Sequence, residues 1–234
     1  MTQTKKAFTT EDLEITKPGY SNGISTQLAE LIAKGEHRSL NDKEKQKIIK
    51  RASKVFEKFL TEMGVDFAND PNSMDTATRF TKALVNDIWK GRYNVLDDIS
   101  SFPSSYKGIV MEKDIPIVST CSHHLQTITG KCHIAYVPGV EGRVVGLSKL
   151  NRICENFARR GAIQEDLIVA IHKAVSTVVE GNDGVMVVIH ASHQCVSCRG
   201  VKHDGASMIT SEVSGVFADH SKTAKNEVLH FINM

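Results

Sequence analysis

The chain has 234 residues, of which 41% are hydrophobic and 24% are charged, and its formal net charge is +2. This composition is typical of a globular protein with a sizeable core, and so small a charge does not by itself indicate a nucleic-acid or membrane partner. No apolar run approaches the roughly 20 residues of a spanning helix, and the polar N-terminus resembles neither a signal peptide nor a transit peptide. Five cysteines, an odd number, argue against a disulfide framework, so we expect reduced thiols and a cytoplasmic protein.

The first part of the chain has a helical pattern. Residues 1–24 are polar and punctuated by glycine and proline, which predicts a flexible N-terminal arm. A helical region is expected over residues 25–95, because apolar residues recur there at helical spacing. Its predicted helices span residues 24–33, 41–63 and 75–90.

Residues 96–234 have a different character and are predicted to form one catalytic domain. Strands are predicted over residues 108–120, 126–137, 184–192 and 207–213, and helices over residues 148–160, 164–180 and 223–232. Ser148 is the predicted N-cap of the first of these helices. The order strand-strand-helix-helix-strand-strand-helix favours an α+β fold with an antiparallel sheet over a doubly wound parallel one.

Two short motifs carry the metal-binding residue types. They are Thr120-Cys121-Ser122-His123-His124 and Ser192-His193-Gln194-Cys195-Val196-Ser197-Cys198-Arg199-Gly200. The Cys-x-x-His spacing of the first presents sulfur and nitrogen to a single zinc ion. In an extended segment His193 and Cys195 would point to the same side, towards the first motif. The sequence therefore predicts one zinc site built from two distant segments.

Two kinds of zinc site are compatible with these motifs. A closed structural site would use four ligands, namely Cys121, His124, Cys195 and Cys198. An open catalytic site would use Cys121, His124 and Cys195, with water in the fourth position and with His123 and His193 left for proton transfer. Cys195 and Cys198 would face opposite ways on a continuing strand, which favours the open site.

Basic side chains form three clusters. They are Lys149 and Arg152 on helix 148–160, Arg79 and Lys82 on helix 75–90, and Arg199 after the second motif. A cationic first turn opposes the dipole of an isolated helix, so Lys149 and Arg152 indicate an anionic ligand, the alternative being a solvated basic face. Three such clusters suit a polyphosphate better than a single carboxylate.

Gln164 and Glu165 begin helix 164–180. An acidic residue in the first turn is ordinary compensation of the helix dipole. The functional alternative is a carboxylate that accepts hydrogen bonds from the N–H and amino edge of a purine.

Taken together, these segments resemble the GTP cyclohydrolase I family over roughly residues 70–234. The likeness is carried, in order and spacing, by Thr120-Cys121-Ser122-His123-His124, Gly130-Lys131, Ala135-Tyr136-Val137-Pro138, Val145-Gly146-Leu147-Ser148-Lys149-Leu150-Asn151-Arg152-Ile153, Phe157-Ala158-Arg159-Arg160, Ile163-Gln164-Glu165 and His193-x-Cys195-x-x-x-Arg199-Gly200. The resemblance implies a tunnelling fold, in which antiparallel strands backed by helices assemble into rings. It also implies a homo-oligomer, a decamer in the family pattern, with active sites between subunits.

The same resemblance implies a role for each candidate site residue. Cys121, His124 and Cys195 would bind Zn²⁺, and His123 and His193 would transfer protons. Glu165, with Gln164 beside it, would hold the guanine. Lys149, Arg152 and Arg199 would hold the triphosphate, with Arg79 and Lys82 in support and Ser148 close to the same phosphates.

The reaction implied is hydrolytic opening of the guanine imidazole ring of GTP, with release of formate and formation of 7,8-dihydroneopterin triphosphate. This product begins routes to folate, other pterins or 7-deazaguanine nucleosides. Three positions depart from the family pattern. Ser122 replaces a usual Glu, Ala77 follows Thr76 where Pro is usual, and Lys225 stands where Arg is common. None of them removes a predicted ligand.

Two alternatives from other functional classes stay open. A relative on the same fold reduces a nitrile on a 7-deazaguanine with a cysteine nucleophile and NADPH, and it needs no Cys/His zinc site. A ring-forming binding or regulatory module with structural zinc is the non-enzymatic alternative. A nucleic-acid-binding zinc protein fits less well, because the net charge is near zero and a single metal site is predicted.

Overall fold

The computed structural model describes residues 39–67, 69–96, 99–140, 142–219 and 223–234. The predicted arm at residues 1–24 and the predicted helix at residues 24–33 lie outside these residues. A boundary between two compact units falls between Val95 and Leu96. In the part of the chain so described, no helix is both long and apolar enough to cross a membrane.

The N-terminal unit begins, within its described residues, with helix α1 at Asp42–Glu62. Asn41 caps it, because its side chain accepts a hydrogen bond from the backbone N–H of Glu44 at 3.1 Å. The Glu44 carboxylate in turn accepts from the backbone N–H of Asn41 at 2.8 Å, which completes a capping box. The predicted helix over residues 41–63 is confirmed.

The predicted single helix over residues 75–90 is broken into three parts. Helix α2 spans Thr76–Ala83, a π-helical turn follows at Leu84–Ile88, and helix α3 spans Lys90–Tyr93. The backbone N–H of Trp89 reaches the carbonyl of Leu84 at 2.8 Å, five residues back, which widens the helix. Since Leu84 and Ile88 keep a helical apolar spacing, periodicity did not reveal this turn.

The C-terminal unit is built on antiparallel sheets. The strands are β1 at Ser101–Pro103, β2 at Val110–Thr120, β3 at Thr127–Val137, β4 at Arg143–Val145, β5 at Gly184–His193 and β6 at Met208–Val213. The main sheet has the order β2-β3-β5-β6 with every pair antiparallel. A second, two-stranded sheet pairs β1 with β4 and was not predicted from the sequence.

Helices cover both faces of the main sheet. They are α4 at Leu147–Ala158, α5 at Gln164–Val178, the short α6 at Gln194–Ser197 and α7 at Ala224–Asn233. Alternate strand residues such as Ile134 and Ile189 pack with Leu150 of α4 and Ile171 of α5 in the larger core, because side chains alternate between sheet faces. The residues of the smaller core on the opposite face include Ala135, Met186, Val188, Phe217 and Val228. The predicted α+β class, an antiparallel sheet backed by helices, is confirmed.

The predicted N-cap at Ser148 is wrong. Helix α4 begins at Leu147 and its N-cap is Gly146, with φ −63° and ψ 140°, so Ser148 lies inside the first turn. The cause is the preceding strand. The backbone N–H of Val145 donates to the buried Tyr136 hydroxyl at 3.1 Å and Val145 pairs with Ser101, which leaves only Gly146 to turn the chain from β4 into the helix.

Gly130 lies at the centre of the main sheet, paired with Ile117 on one side and Ala191 on the other. A Cβ atom at Gly130 would stand 2.5 Å from the Cα of Ala191, which is backbone and has to shift. We expect Gly130→Ala to lower the free energy of unfolding by about 1–3 kcal/mol, as overpacking does. Thermal unfolding monitored by circular dichroism measures this.

The matched control for this substitution is Gly205→Ala. No atom lies within 4 Å of a Cβ built at Gly205, so its melting temperature should match that of the native chain. Equal melting temperatures for the two variants would contradict the close strand approach at Gly130.

Candidate active site

The two cysteine motifs lie at the same end of the main sheet. Residues 121–126 connect β2 to β3 in a tight turn, in which the backbone N–H of Leu125 donates to the Cys121 carbonyl at 2.9 Å. The Cys121 N–H donates to the Gln126 carbonyl at 2.8 Å. The register pairs Ile128, next to this turn, with His193 at the end of β5. Sheet topology alone therefore brings two segments that are far apart in the sequence to the same end of the sheet.

The thiols of Cys121 and Cys195 are neighbours at this edge. Cys121 is buried and Cys195 is half-buried. Burial raises the pKa of the Cys195 thiol, and the charge and hydrogen bond of the Cys121 thiol raise it further, while Arg199 opposes them. Cys195 packs against the core cluster that contains Cys121, so the two predicted sulfur ligands lie near each other.

The local geometry of the second motif differs from the prediction. Strand β5 ends at His193 and the chain enters α6, so His193 and Cys195 do not share one face of an extended segment. The helical turn still brings Cys195 Sγ to 3.9 Å from His193 Nδ1. Cys198 is exposed, and its thiol donates to the Gln194 carbonyl at 2.7 Å and to Gln126 Oε1 at 3.3 Å.

The two adjacent histidines of the first motif are exposed in the turn after Cys121. The rings of His123 and His124 meet edge to face, with centroids 6.2 Å apart. Within the described ranges, no three His, Cys, Asp or Glu side chains form a group that could hold a metal ion. The residue types nevertheless fit zinc, because two neighbouring thiols and an imidazole in the turn after Cys121 are the donors that zinc prefers.

His193 is held from the other side by Gln164. Gln164 is 1% exposed, and its Oε1 lies 2.8 Å from His193 Nε2. Burial lowers the pKa of His193, while the carboxylate of Glu165 raises it. Glu165 is exposed in the first turn of α5, so the predicted guanine ligand lies within electrostatic range of a predicted proton-transfer residue.

The predicted phosphate-binding residues of α4 occupy its first turns. Asn151 donates to the Glu112 carboxylate near the start of β2, and Ser119 Oγ donates to the Ala158 carbonyl near the end of β2, at 2.7 Å. Helix α4 therefore runs along β2, and its last turn lies at the Cys121 end. Ser148, Lys149 and Arg152 lie towards the opposite end, Ser148 about 15 Å from Ala158 along the helix axis.

The remaining basic residues fall in two places. Arg199 is exposed and within electrostatic range of Cys195. Arg79 and Lys82 are exposed on α2 of the N-terminal unit, where Arg79 forms an ion pair with Asp75 at 3.8 Å.

Sequence reasoning missed Thr210 at this edge. Its hydroxyl accepts a hydrogen bond from Gln164 Nε2 at 3.1 Å, and strand register sets it opposite Ile189. Thr210 belongs to no motif. Only the register of β6 against β5, which forms when the sheet assembles, identifies it as a neighbour of Gln164.

A family model described as GTP cyclohydrolase I matches residues 52–233. The chain belongs to this family. Curated relatives agree with the match. The chain is 41% identical over 180 residues to GTP cyclohydrolase 1 of Pseudoalteromonas translucida, covering 76% of this chain and 95% of the relative. It is 37% identical over 182 residues to GTP cyclohydrolase 1 of Saccharomyces cerevisiae, covering 76% and 73% of the two chains.

The predicted enzyme class is confirmed by the family match and by these relatives. Among solved structures, an archaeosine synthase QueF-Like in the apo form aligns with a TM-score of 0.39 and 16% sequence identity. That alignment covers 47% of this chain and 97% of the other, and a likeness this low adds nothing to the family assignment.

Proposed function

We propose that this GTP cyclohydrolase I family member hydrolyses the guanine imidazole ring of GTP, releases formate and forms 7,8-dihydroneopterin triphosphate. The supporting observation is that Cys195 packs against the core cluster that contains Cys121, with His193 Nδ1 at 3.9 Å from Cys195 Sγ. The proposed sulfur donors and the proposed proton-transfer residue His193 lie near each other, and His193 is within electrostatic range of the Glu165 carboxylate. The product would feed a folate, pterin or 7-deazaguanine route in the cytoplasm.

Cys121, Cys195 and His124 would hold the zinc ion. Bound there, zinc supplies Lewis-acid activation of water for hydrolysis. The Cys198 thiol is exposed and is hydrogen-bonded to Gln194 and Gln126, whereas Cys121 is the thiol that influences Cys195, which supports an open site over a closed one of four protein ligands.

His193 and His123 would move protons during ring opening. Imidazole titrates near neutral pH and can both donate and accept. His193 turns Nδ1 towards Cys195, so a proton could be exchanged there next to the metal ligands. His123 is exposed in the turn after Cys121, where an incoming substrate can reach it.

Glu165 would recognise the guanine base. Its carboxylate can accept hydrogen bonds from N1–H and the 2-amino group, which adenine lacks. We expect Glu165→Ala to reduce the preference for GTP over ATP, measured as the ratio of kcat/KM values, by about 10²-fold. The reason is that the substitution removes the hydrogen-bond acceptor that distinguishes guanine from adenine.

Asp166→Ala is the matched control for this substitution. Asp166 is also an exposed acidic residue of the same first turn, so its substitution by alanine removes the same charge from the helix N-terminus. If the two variants show equal selectivity for GTP, guanine recognition by Glu165 is wrong.

A second copy of the chain would complete the site, in a homo-oligomer such as a decameric ring. Helical side chains lean towards the helix N-terminus, so Lys149 and Arg152 lean away from the Cys121 end of their own chain. The triphosphate ligands Ser148, Lys149 and Arg152 would then serve the site of a neighbouring subunit. Arg199 would join them from the Cys195 side.

The test is incubation of the full chain with zinc and GTP, followed by measurement of bound metal, formate and product. We expect formate in equal amount to the GTP consumed and a pteridine product identified by mass and fluorescence. Stoichiometric zinc without formate release would overturn the hydrolytic function and favour a binding module with structural zinc.

A further inference from the structure

We infer that Gln164 and Thr210 are positioning residues that fix the orientation and tautomer of His193, and that the Gln164 side chain does not contact the substrate. This inference rests on the proposed function, in which His193 transfers a proton.

The Gln164 amide is enclosed by four polar partners. Its Nε2 lies 3.2 Å from the Ile189 carbonyl, 3.2 Å from the Met208 carbonyl and 3.1 Å from Thr210 Oγ1. Its Oε1 lies 2.8 Å from His193 Nε2. The residue is 1% exposed, and these contacts join the start of α5 to strands β5 and β6.

The partners decide which way the amide faces. The carbonyl oxygens of Ile189 and Met208 can only accept hydrogen bonds, so the NH₂ group of Gln164 must face them. Oε1 then faces His193 and can only accept. His193 Nε2 must therefore carry a hydrogen, and the neutral ring has its lone pair on Nδ1.

This tautomer has a consequence for the reaction. Nδ1 is the ring atom that approaches Cys195 Sγ, so the hydrogen bond to Gln164 determines which ring atom faces the proposed metal ligands. The two amide hydrogens of Gln164 are shared among three acceptors and its oxygen is bound to His193, so the side chain has no donor left for a purine.

Thr210 has a smaller part in the same arrangement. Its hydroxyl is the third acceptor for Gln164 Nε2, and the two carbonyls remain when it is removed. Thr210→Val is therefore the milder perturbation, and it keeps the volume of the side chain.

The kinetic experiment uses the zinc-loaded full chain with GTP. We expect Gln164→Leu to lower kcat by about 10²-fold, within the range of general acid–base contributions, and Thr210→Val to lower it about 3–10-fold, with KM unchanged in both. Thr210→Ser should regain most of the kcat lost in Thr210→Val. Thr177→Val is the matched control, because it removes an exposed hydroxyl of α5 that bonds only to its own helix in the described structure, and it should leave kcat unchanged.

Two measurements without turnover complete the test. The dissociation constant of GTP for the metal-free chain should be the same in wild type, Gln164→Leu and Thr210→Val. In wild-type metal-free protein labelled with ¹⁵N-histidine, the His193 signal, identified by its loss in His193→Gln, should report the Nε2–H tautomer.

The outcomes separate this inference from the proposed function. A larger dissociation constant or a larger KM for Gln164→Leu, with unchanged kcat, would mean that Gln164 contacts the base and would overturn the inference. An Nδ1–H tautomer of His193 would also overturn it. Absence of formate release by the wild-type chain would refute the proposed function, whereas the tautomer measurement would still decide the role of Gln164.

Discussion

Replacing Cys195 with serine is expected to remove bound zinc and to stop formate release from GTP. Cys195 packs against the core cluster that contains Cys121, so the substitution takes one of two neighbouring sulfur donors from the proposed site. Altering a partner of a ligand typically lowers metal affinity or activity roughly 10–100-fold, and loss of a ligand itself should exceed that. Bound metal per chain and the initial rate of formate release measure the effect.

Cys198→Ser is the matched control, since it removes a thiol from the same motif, three residues further on. Its thiol is hydrogen-bonded to Gln194 and Gln126, so both zinc and formate release should persist. Native zinc content and a native rate in Cys195→Ser would show that the ligand assignment is wrong. Loss of zinc in Cys198→Ser would instead support a closed site of four protein ligands.

Most of the main elements could be predicted because their signals are local. Helix α1 begins at a capping box in which Asn41 and Glu44 lie only three residues apart. Strands β3 and β5 coincide with runs of β-branched and apolar residues. The glycines at positions 161 and 181 lie just after α4 and α5, with positive φ angles of 68° and 71°. Each of these features depends on neighbours within a few residues.

The features that were missed depend on contacts formed only after folding. The start of α4 was misplaced because Val145 is held in strand β4 by pairing with Ser101, which lies on β1 and far from α4 in the sequence. The turn of α6 replaced the extended geometry expected for His193 and Cys195. The hydrogen bonds of Gln164 reach Ile189, Met208 and Thr210, which lie 25, 44 and 46 residues further along the chain.

The identity of the candidate ligands could thus be predicted from the sequence, whereas their spatial neighbours could not. The residue types of the zinc motifs were readable from spacing, because Cys-x-x-His restricts which side chains one turn can present. The order of strands then brought Cys121 and Cys195 together. The basic residues of α4 follow a helical rule as well, but their direction relative to the sulfur pair depends on how α4 lies along β2, which spacing does not determine.

Mixing two inactive variants is expected to restore activity if neighbouring subunits share each site. One variant is Cys195→Ser, and the other carries Lys149→Ala and Arg152→Ala together. Each should be inactive alone, the first for lack of zinc and the second for lack of triphosphate ligands. In mixed oligomers made from equal amounts, about one quarter of the sites should combine an intact half from each neighbour, so about one quarter of native formate release should return.

The control mixes Cys195→Ser with Cys121→Ser, in which both substitutions affect the same half of the site. No combination of these chains yields a whole site, so activity should stay at the level of the parents even when two different affinity tags show that mixed oligomers have formed. If the first mixture also stays at that level, each chain supplies its own phosphate ligands. The lean of Lys149 and Arg152 away from Cys121 would then have to be compensated within one subunit by the length of the triphosphate.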